Sequence, residues 1–332
     1  MSWFTRLFSR QPHRALPRDM PDYVINGNLY DALGPAILKD VVMHSFCIHA
    51  DGRKLQAWLD RTFAEPSNGA IRYEAVGNRI FLGIAELGHV TSEVGAGHPE
   101  GFTREIDVTY WILARRKGDG FLTLRWIPAY LFVDSGPVLV TGRELWGFPK
   151  QLARFDFSPQ SHVPGGARRF HVDGWVVDPF AVTTQTRWAP IIEVRPAAAT
   201  PPGEKSVFQN LEALADALAA RAADAMLDIA TDVQGAVAKG EMTMAFLKQF
   251  PDAASPHKAC YQAIVEAMAT VEHVKGTGLT DDHYEVRITS YDSHPFAKEL
   301  GLAGEWHDVG RGFWMDFAFR QNLGENVWMW QS

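Results

Sequence analysis

Cysteine and long apolar runs are both scarce in this 332-residue sequence. Only Cys47 and Cys260 occur, and they supply neither a disulfide framework nor the paired spacing of a zinc site. No run of about 18 apolar residues is long enough to span a bilayer, and the N-terminus lacks the continuous apolar core of a secretory signal. We therefore predict a cytoplasmic protein without stable membrane insertion.

Positive charge and the common cofactor motifs are missing as well. The formal net charge is −7, which argues against a nucleic-acid partner because phosphate binding needs a basic surface. No GxGxxG or phosphate-loop sequence is present. The twelve histidines form no HExxH pattern, and His44 with His49 lacks a third ligand at a diagnostic spacing. The sequence thus predicts no metal site and no cofactor.

The N-terminal segment has a pattern of its own. Its first eighteen residues, MSWFTRLFSRQPHRALPR, place four arginines at intervals of four and also contain the apolar residues Trp3, Phe4, Leu7 and Phe8. Such a pattern is compatible with contact to an anionic membrane surface. Pro12 and Pro17 interrupt any long helix, so we favour an arm over residues 1–22 that is mobile or clasps another subunit.

Strand patterns dominate the first half of the chain. Residues 53–63 carry apolar side chains at helical spacing and predict an amphipathic helix. Residues 71–87 predict a hairpin with its turn at Gly77 and Asn78, and residues 105–134 predict a second hairpin. After it, Ser135 is a candidate cap and Pro137 suits the first turn of a short helix.

A helical segment interrupts the strands of the second half. The linker-like tract RPAAATPPGEK precedes an alanine-rich stretch, and we predict a helical insertion at about 203–240. Strand patterns resume after it and continue to the C-terminus. Strands on both sides of one helical segment indicate a single α+β domain over residues 23–332, rich in β-structure.

One lysine stands out by its setting, in the run GRELWGFPKQLARF. Lys150 follows a turn of glycine and proline and has Trp146 and Phe148 as close neighbours in the sequence. A lysine among apolar side chains loses hydration, which favours the neutral amine, and a neutral amine is a nucleophile. Lysines of this kind form Schiff bases with carbonyl substrates. We therefore treat Lys150 as a candidate catalytic residue.

This run, preceded by PAYLFVDSGPVLVT, resembles the acetoacetate decarboxylase family, in which the lysine after such a turn forms the Schiff base. Lys150 is the matching position. The upstream segment GFTREIDVTYWI resembles the family strand that carries an active-site glutamate, and Glu105 matches that residue. The resemblance runs from about Val41 to the C-terminus without the insertion. It implies a curved, closed antiparallel β-sheet, barrel-like or cone-like, with outer helices, a buried cavity and homo-oligomers.

The sequence departs from the family pattern at two places. Gln151 stands where the decarboxylases have a second lysine, and the stretch 23–51 lacks the arginine that helps to hold the substrate carboxylate. His44 and Lys39 are the cationic candidates there, and Glu86 is a candidate for a second carboxylate. We expect Trp146, Phe148, Gln151 and His44 to bind substrate.

These residues lead to three functional hypotheses. The first is a cofactor-independent Schiff-base lyase that acts on a small or medium oxo acid, with Lys150 as nucleophile and Glu105 as the proton-transfer or orienting group. The second is an aldolase-dehydratase acting on a larger carbonyl compound. The third is a hydrophobic ligand-binding barrel that has lost the chemistry, which the absence of the arginine and of a second lysine favours.

Overall fold

The computed structural model describes residues 21–25, 34–93, 101–118, 124–159, 164–197, 240–302 and 306–330. The predicted N-terminal arm at 1–22 and the predicted helical insertion at 203–240 lie outside the described residues, apart from their last positions. Strands form most of the described chain.

The described residues contain ten strands and three short α-helices. The strands are β1 (Ala36–His49), β2 (Tyr73–Ser92), β3 (Thr103–Arg116), β4 (Leu124–Val133), β5 (Lys150–Ser158), β6 (Arg169–Val176), β7 (Arg187–Pro196), β8 (Glu241–Pro251), β9 (Ala259–Ile288) and β10 (Trp306–Met329). The helices are α1 (Gly52–Leu59), α2 (Gly136–Thr141) and α3 (Phe296–Leu300). Helices α1 and α2 each continue into a π-helical turn, at Asp60–Ala64 and Gly142–Trp146 respectively.

The strands form one sheet that closes on itself. Their order is β10-β1-β2-β3-β4-β5-β6-β7-β9-β8, and β10 also pairs with β9. This pairing closes a ring through every strand except β8. Strand β4 also pairs with β8, which closes a smaller circuit of β8, β9, β10, β1, β2, β3 and β4. The curved, closed sheet confirms the predicted fold class. The pairings of β4 with β5 and with β8 are parallel; the other strand pairs are antiparallel.

Helix α1 confirms the helix predicted at 53–63. Its apolar residues Leu55, Trp58 and Leu59 are buried, and Phe63 of the following π-helical turn continues the same buried side. Asp51 begins the helix, because its side chain accepts a hydrogen bond from the backbone N–H of Arg53 at 2.9 Å. The buried side of α1 packs into the main hydrophobic core.

The predicted hairpin at Gly77 and Asn78 is wrong. Residues on both sides of this dipeptide pair with the same strand, β3, as in Tyr73 with Arg116 and Ile80 with Ile112. The register shifts between them, and Gly77 has a φ of 77°. The glycine therefore accommodates a bulge within one long strand instead of a chain reversal. The second predicted hairpin is confirmed by the antiparallel pairing of β3 with β4.

The two faces of β1 to β4 contact different parts of the molecule. We call the face that carries Phe46, Ile84, Val108 and Phe132 the main core face, because these residues join the largest hydrophobic cluster with α1 and α3. Side chains alternate along a strand, so the residues between them form the opposite face. There Trp111 and Trp126 pack against a second cluster with residues of β8 and β9. This opposite face thus lies toward the interior of the smaller strand circuit.

Candidate active site

Lys150 is placed by the turn between α2 and β5. It is the first residue of β5, and its Cα pairs with Leu131 of β4. The backbone N–H groups of Gly147 and Phe148 both donate to the carbonyl of Gly142 at 3.1 Å. Gly147 has a φ of 94°, and a Cβ there would lie 2.8 Å from the Cα of Lys248. Only glycine fits this turn, for conformational and steric reasons.

The side chain of Lys150 reaches the candidate glutamate. Its Nζ donates a hydrogen bond to Oε1 of Glu105 at 2.6 Å. Both residues are buried, with 8% and 3% of their surface exposed. Nζ lies 5.6 Å from the ring centroid of Phe148. The structure therefore brings together Lys150, Glu105 and Phe148, on the face of the sheet opposite the main core face; we call this the lysine face.

Two residues of the turn shape the space around Lys150. A Cβ at Gly142 would lie 2.8 Å from Cδ and 2.9 Å from Cε of Lys150, so the glycine allows the π-helical turn to pass close to the lysine. The guanidinium of Arg143 donates to the carbonyl of Lys150 at 3.1 Å. Arg143 thereby holds the start of β5 against the turn.

Two further carboxyl groups lie near this pair, and the sequence analysis missed both. Asp107 stands two residues after Glu105 on β3, so both side chains lie on the same face of the strand. Asp134 follows β4 directly and accepts a hydrogen bond from the backbone N–H of Ile106 at 2.8 Å. The alternation of Glu105 and Asp107 in a strand was the available signal for Asp107.

Burial and mutual repulsion change the proton affinity of these acids. Burial raises the pKa of Glu105, although the Lys150 ammonium opposes part of this effect. The pKa of Asp107 is raised to about 7, first by burial and then by the neighbouring Glu105. Burial also raises the pKa of Asp134. Among the described residues, Lys150 is the cation whose charge opposes the raised pKa at all three carboxyls.

The aromatic candidates differ in their distance from the lysine. Phe148 packs on Phe246 with ring centroids 4.3 Å apart, and so it joins Lys150 to the hydrophobic cluster of β8 and β9. Trp146 is buried in that cluster, and its Nε1 donates to the carbonyl of Asn322 at 2.9 Å. Phe148 lies next to the amine. Trp146 packs against the Phe148 ring, with the two ring centroids 6.2 Å apart.

The structure does not bring Gln151 to Lys150. Adjacent residues of a strand point to opposite faces, so the side chain of Gln151 leaves the sheet away from the lysine. Gln151 instead helps to line a separate cavity of about 440 Å³ together with Leu152, Trp175, Trp188 and His294. The missing second lysine would therefore have stood on the other side of β5.

His44 and Glu86 also lie on the main core face, away from the lysine. His44 is buried, and its ring centroid is 5.2 Å from that of Phe170. Glu86 forms an ion pair with the buried guanidinium of Arg168. Side chains alternate between the two faces along β1 and β2, and those of His44 and Glu86 point to the main core face. The sheet therefore lies between these side chains and that of Lys150.

The described residues provide neither a metal-binding cluster nor a membrane-spanning helix. No group of three or more histidine, cysteine, aspartate or glutamate side chains among them is arranged to hold a metal ion. No helix within the described ranges has the length and apolar character needed to cross a membrane.

Comparisons with known proteins give matches in structure only. No protein-family model matches the sequence, and no curated protein matches it. A solved acetoacetate decarboxylase from Legionella pneumophila subsp. pneumophila str. Philadelphia 1 is similar, with a TM-score of 0.60, 14% identity, and coverage of 96% of this chain and 95% of that chain. This similarity shows that the chain has the fold of acetoacetate decarboxylase.

Two further solved structures agree with this fold. An acetoacetate decarboxylase-like enzyme from Sphingomonas wittichii RW1 has a TM-score of 0.51 at 11% identity, over 88% of this chain and 93% of that chain. The enduracididine biosynthesis enzyme MppR complexed with pyruvate has a TM-score of 0.52 at 13% identity, over 88% of this chain and 89% of that chain. The resemblance noted in the sequence is thus confirmed at the level of the fold.

Proposed function

We propose that this protein is a cofactor-independent enzyme in which Lys150 forms a Schiff base with a small or medium carbonyl compound. The observation that carries the proposal is the 2.6 Å hydrogen bond between the buried Lys150 amine and the buried Glu105 carboxyl. A nucleophile within hydrogen-bond reach of an acid-base group is the arrangement that amine catalysis requires.

The pair supplies each proton transfer that Schiff-base formation needs. Transfer of one proton from Nζ to Oε1 of Glu105 converts the ion pair into a neutral amine and a neutral acid, and burial favours neutral groups. The amine adds to the substrate carbonyl carbon to give a carbinolamine. Glu105 then donates its proton to the departing hydroxyl, which leaves as water, and the iminium remains on Lys150. Hydrolysis reverses these steps and releases the product.

The iminium accepts electrons from a bond next to the former carbonyl carbon. In a β-oxo acid the bond to the carboxylate breaks, carbon dioxide leaves and the resulting enamine takes up a proton. This is decarboxylation, the candidate drawn from the sequence resemblance, and solved acetoacetate decarboxylases have the same fold.

Aldol or dehydration chemistry is the second candidate. In that case a proton leaves the carbon next to the iminium, and the enamine attacks an aldehyde or expels a hydroxyl group. MppR, a structure of the same fold, was solved with pyruvate bound. The observation in this chain that favours the second candidate is the position of Asp107 and Asp134 near the lysine, because these acids disfavour an incoming carboxylate.

Reductive trapping tests the proposal. The protein is incubated with sodium cyanoborohydride and a panel of ketones, aldehydes and oxo acids, and the modified peptide is identified by mass spectrometry. We expect a reduced adduct on Lys150 and none in Lys150→Ala. Lys248→Ala is the matched control, since Lys248 is another partly buried lysine whose side chain lies over the rings of Phe250 and Tyr261.

The same experiment distinguishes a Schiff-base enzyme from a protein that only binds a ligand. A protein that only binds ligands in the cavity would give no adduct on Lys150 with any carbonyl compound. It would also bind a hydrophobic ligand equally well before and after Lys150→Ala. The predicted homo-oligomer and the small-molecule substrate remain part of the proposal.

A further inference from the structure

Asp107 occupies an unusual position for a carboxyl group. Its Cα pairs with Ala85 on β2 and with Val133 on β4, so apolar residues stand beside it on both neighbouring strands. Its hydrogen bond within the described part of the chain comes from the hydroxyl of Thr109, at a long 3.4 Å. The nearest cation that affects it is Lys150, which is already bound to Glu105. Asp107 therefore lacks an ion-pair partner of its own within that part of the chain.

Asp107 is the partly exposed one of the two acids that β3 carries on the lysine face. Glu105 and Thr109, its neighbours on the same face of β3, are both buried, whereas Asp107 keeps a partly exposed side chain. Asp134 is exposed, but its carboxylate is held by the backbone of Ile106 at the edge of the site. A molecule that reaches Lys150 from the lysine face thus meets the Asp107 carboxyl.

The charge balance follows from these positions. Three carboxyl groups surround one ammonium, so the site carries excess negative charge when the acids are ionised. Like charges a few ångströms apart in a partly buried site repel strongly enough to weaken binding by about 10- to 100-fold. The arginine and second lysine that would offset this repulsion are not among the residues that the structure brings to Lys150.

We infer that Asp107 is a specificity-determining residue of the Lys150 site, and that it selects uncharged ketones and aldehydes over anionic oxo acids. The inference rests on the proposed Schiff-base function and names its substrate class. Asp107 lies on the same face of β3 as Glu105, so the carboxylate of an oxo acid that reaches Lys150 would approach a second negative charge there.

A matched pair of substrates tests this inference. The probes 4-oxopentanamide and 4-oxopentanoate have the same ketone and nearly the same size, and they differ in one charge. We expect cyanoborohydride to trap the amide on Lys150 at least about tenfold faster than the acid at pH 8.5. Asp107→Asn should bring this ratio close to one, and Asp107→Glu should preserve it. Asp156→Asn removes an exposed carboxyl of β5 and should leave the ratio unchanged.

The pH dependence gives a second readout that needs no variant. Both probes react with the same lysine, so protonation of Lys150 affects both rates and cancels in the ratio. The acids that face the site from β3 and from the end of β4 are Glu105, Asp107 and Asp134. Asp107 becomes protonated as the pH falls below about 7. The ratio of the trapping rate of the amide to that of the acid should therefore be closer to one at pH 5.5 than at pH 8.5.

The outcomes separate this inference from the proposed function. Equal trapping of the two probes by the unaltered protein, or faster trapping of the acid, would overturn the inference while the Schiff base on Lys150 stands. A preference for the amide that persists in Asp107→Asn would also overturn it. Failure of both probes and of every other carbonyl compound to modify Lys150 would overturn the proposed function, and the inference with it.

Discussion

At the scale of single residues, Lys150 and Glu105 behave as one unit because a buried hydrogen bond joins them. The Lys150 ammonium opposes part of the effect of burial on the pKa of Glu105, so replacement of the lysine would alter the carboxyl. In the proposed mechanism the amine loses a proton before it attacks, and the carboxyl in contact with it receives that proton. The nearby Phe148 ring excludes water from one side of the amine.

Glu105→Gln should slow reductive trapping by about 10² while the protein stays folded. The amide has nearly the same shape as the carboxyl and still accepts a hydrogen bond from Nζ, but it cannot receive or return a proton. The measurement is the rate of adduct formation on Lys150, with circular dichroism as the check on folding. Glu144→Gln, at an exposed position of the turn, is the control. A trapping rate equal to that of the unaltered protein would remove Glu105 from the mechanism.

At the scale of elements, the turn between α2 and β5 sets the position of Lys150, the proposed nucleophile. The π-helical turn ends at Gly147 in the left-handed conformation, and the chain then enters β5 directly at Lys150. Gly142 lies against the lysine side chain, so the turn both directs the backbone and limits where the amine can lie. A substitution at Gly142 that adds a single methyl group would therefore change the position of the Lys150 side chain through direct contact.

Gly142→Ala should reduce the rate of trapping on Lys150 by about tenfold or more, because misplacement of a reacting group by a fraction of an ångström is costly. The added Cβ would lie within 3 Å of Cδ and Cε, so the lysine side chain must shift from the position in which it contacts Glu105. Alanine favours helical structure, so we expect little loss of thermal stability.

Gly101→Ala is the matched control for this substitution, since a Cβ at Gly101 meets nothing within 4 Å. Trapping rates that fall equally in both variants would show that the contact between Gly142 and Lys150 has no influence. A crystal structure of Gly142→Ala would show directly whether the distance from Nζ to Oε1 increases beyond 2.6 Å.

Local patterns predicted the elements better than their arrangement. The spacing of Leu55, Trp58 and Leu59 was sufficient for α1, because the buried side of a helix follows from its own sequence. A Gly-Asn dipeptide is compatible with both a hairpin and a bulge, and the continuous pairing of β2 with β3 decides between them. The face on which Gln151 lies depends on the parallel register of β5 against β4, which no local pattern records.

The site was predicted in part for the same reason. Lys150 and Glu105 were identified through a motif that resembles a known family, and the structure brings these two residues together. Asp107 was missed because two acidic residues on one face of a strand usually indicate a solvent-exposed face. His44 was chosen for its charge alone, and its side chain points away from the lysine into the core beside Phe170.

At the scale of the whole molecule, a buried polar network links β9 to the other side of the strand circuit. Glu266 of β9 accepts a hydrogen bond from the hydroxyl of Tyr73 on β2 at 2.7 Å. It also pairs with Arg116 of β3 at 3.4 Å and with Arg125 of β4 at 2.8 Å. The carboxylate of Glu266 thus connects β2, β3 and β4 to β9, the strand whose pairing with β10 closes the sheet.

Glu266→Gln should lower the free energy of unfolding by about 3 to 5 kcal/mol, because it removes the negative charge that Arg116 and Arg125 share. Urea denaturation at pH 7 measures the loss. Glu272→Gln, at an exposed position of the same strand, should change stability by less than about 0.5 kcal/mol. Similar losses in both variants would contradict a role for this network in closing the sheet.

The parallel pairing of β4 with β5 has a consequence for how this protein tolerates changes in length. Surface connections between strands usually gain or lose residues freely. Here the segment 134–149 leads directly to Lys150, and the pairing of Leu131 with Lys150 determines which side of the sheet the amine enters. If a change in length shifted β5 by one residue against β4, the amine would turn to the main core face, away from Glu105, whereas a shift of two residues would return it to the lysine face. The segment therefore tolerates changes in length that leave this register in place, and a shift by a single residue is the change that removes the amine from its carboxyl partner.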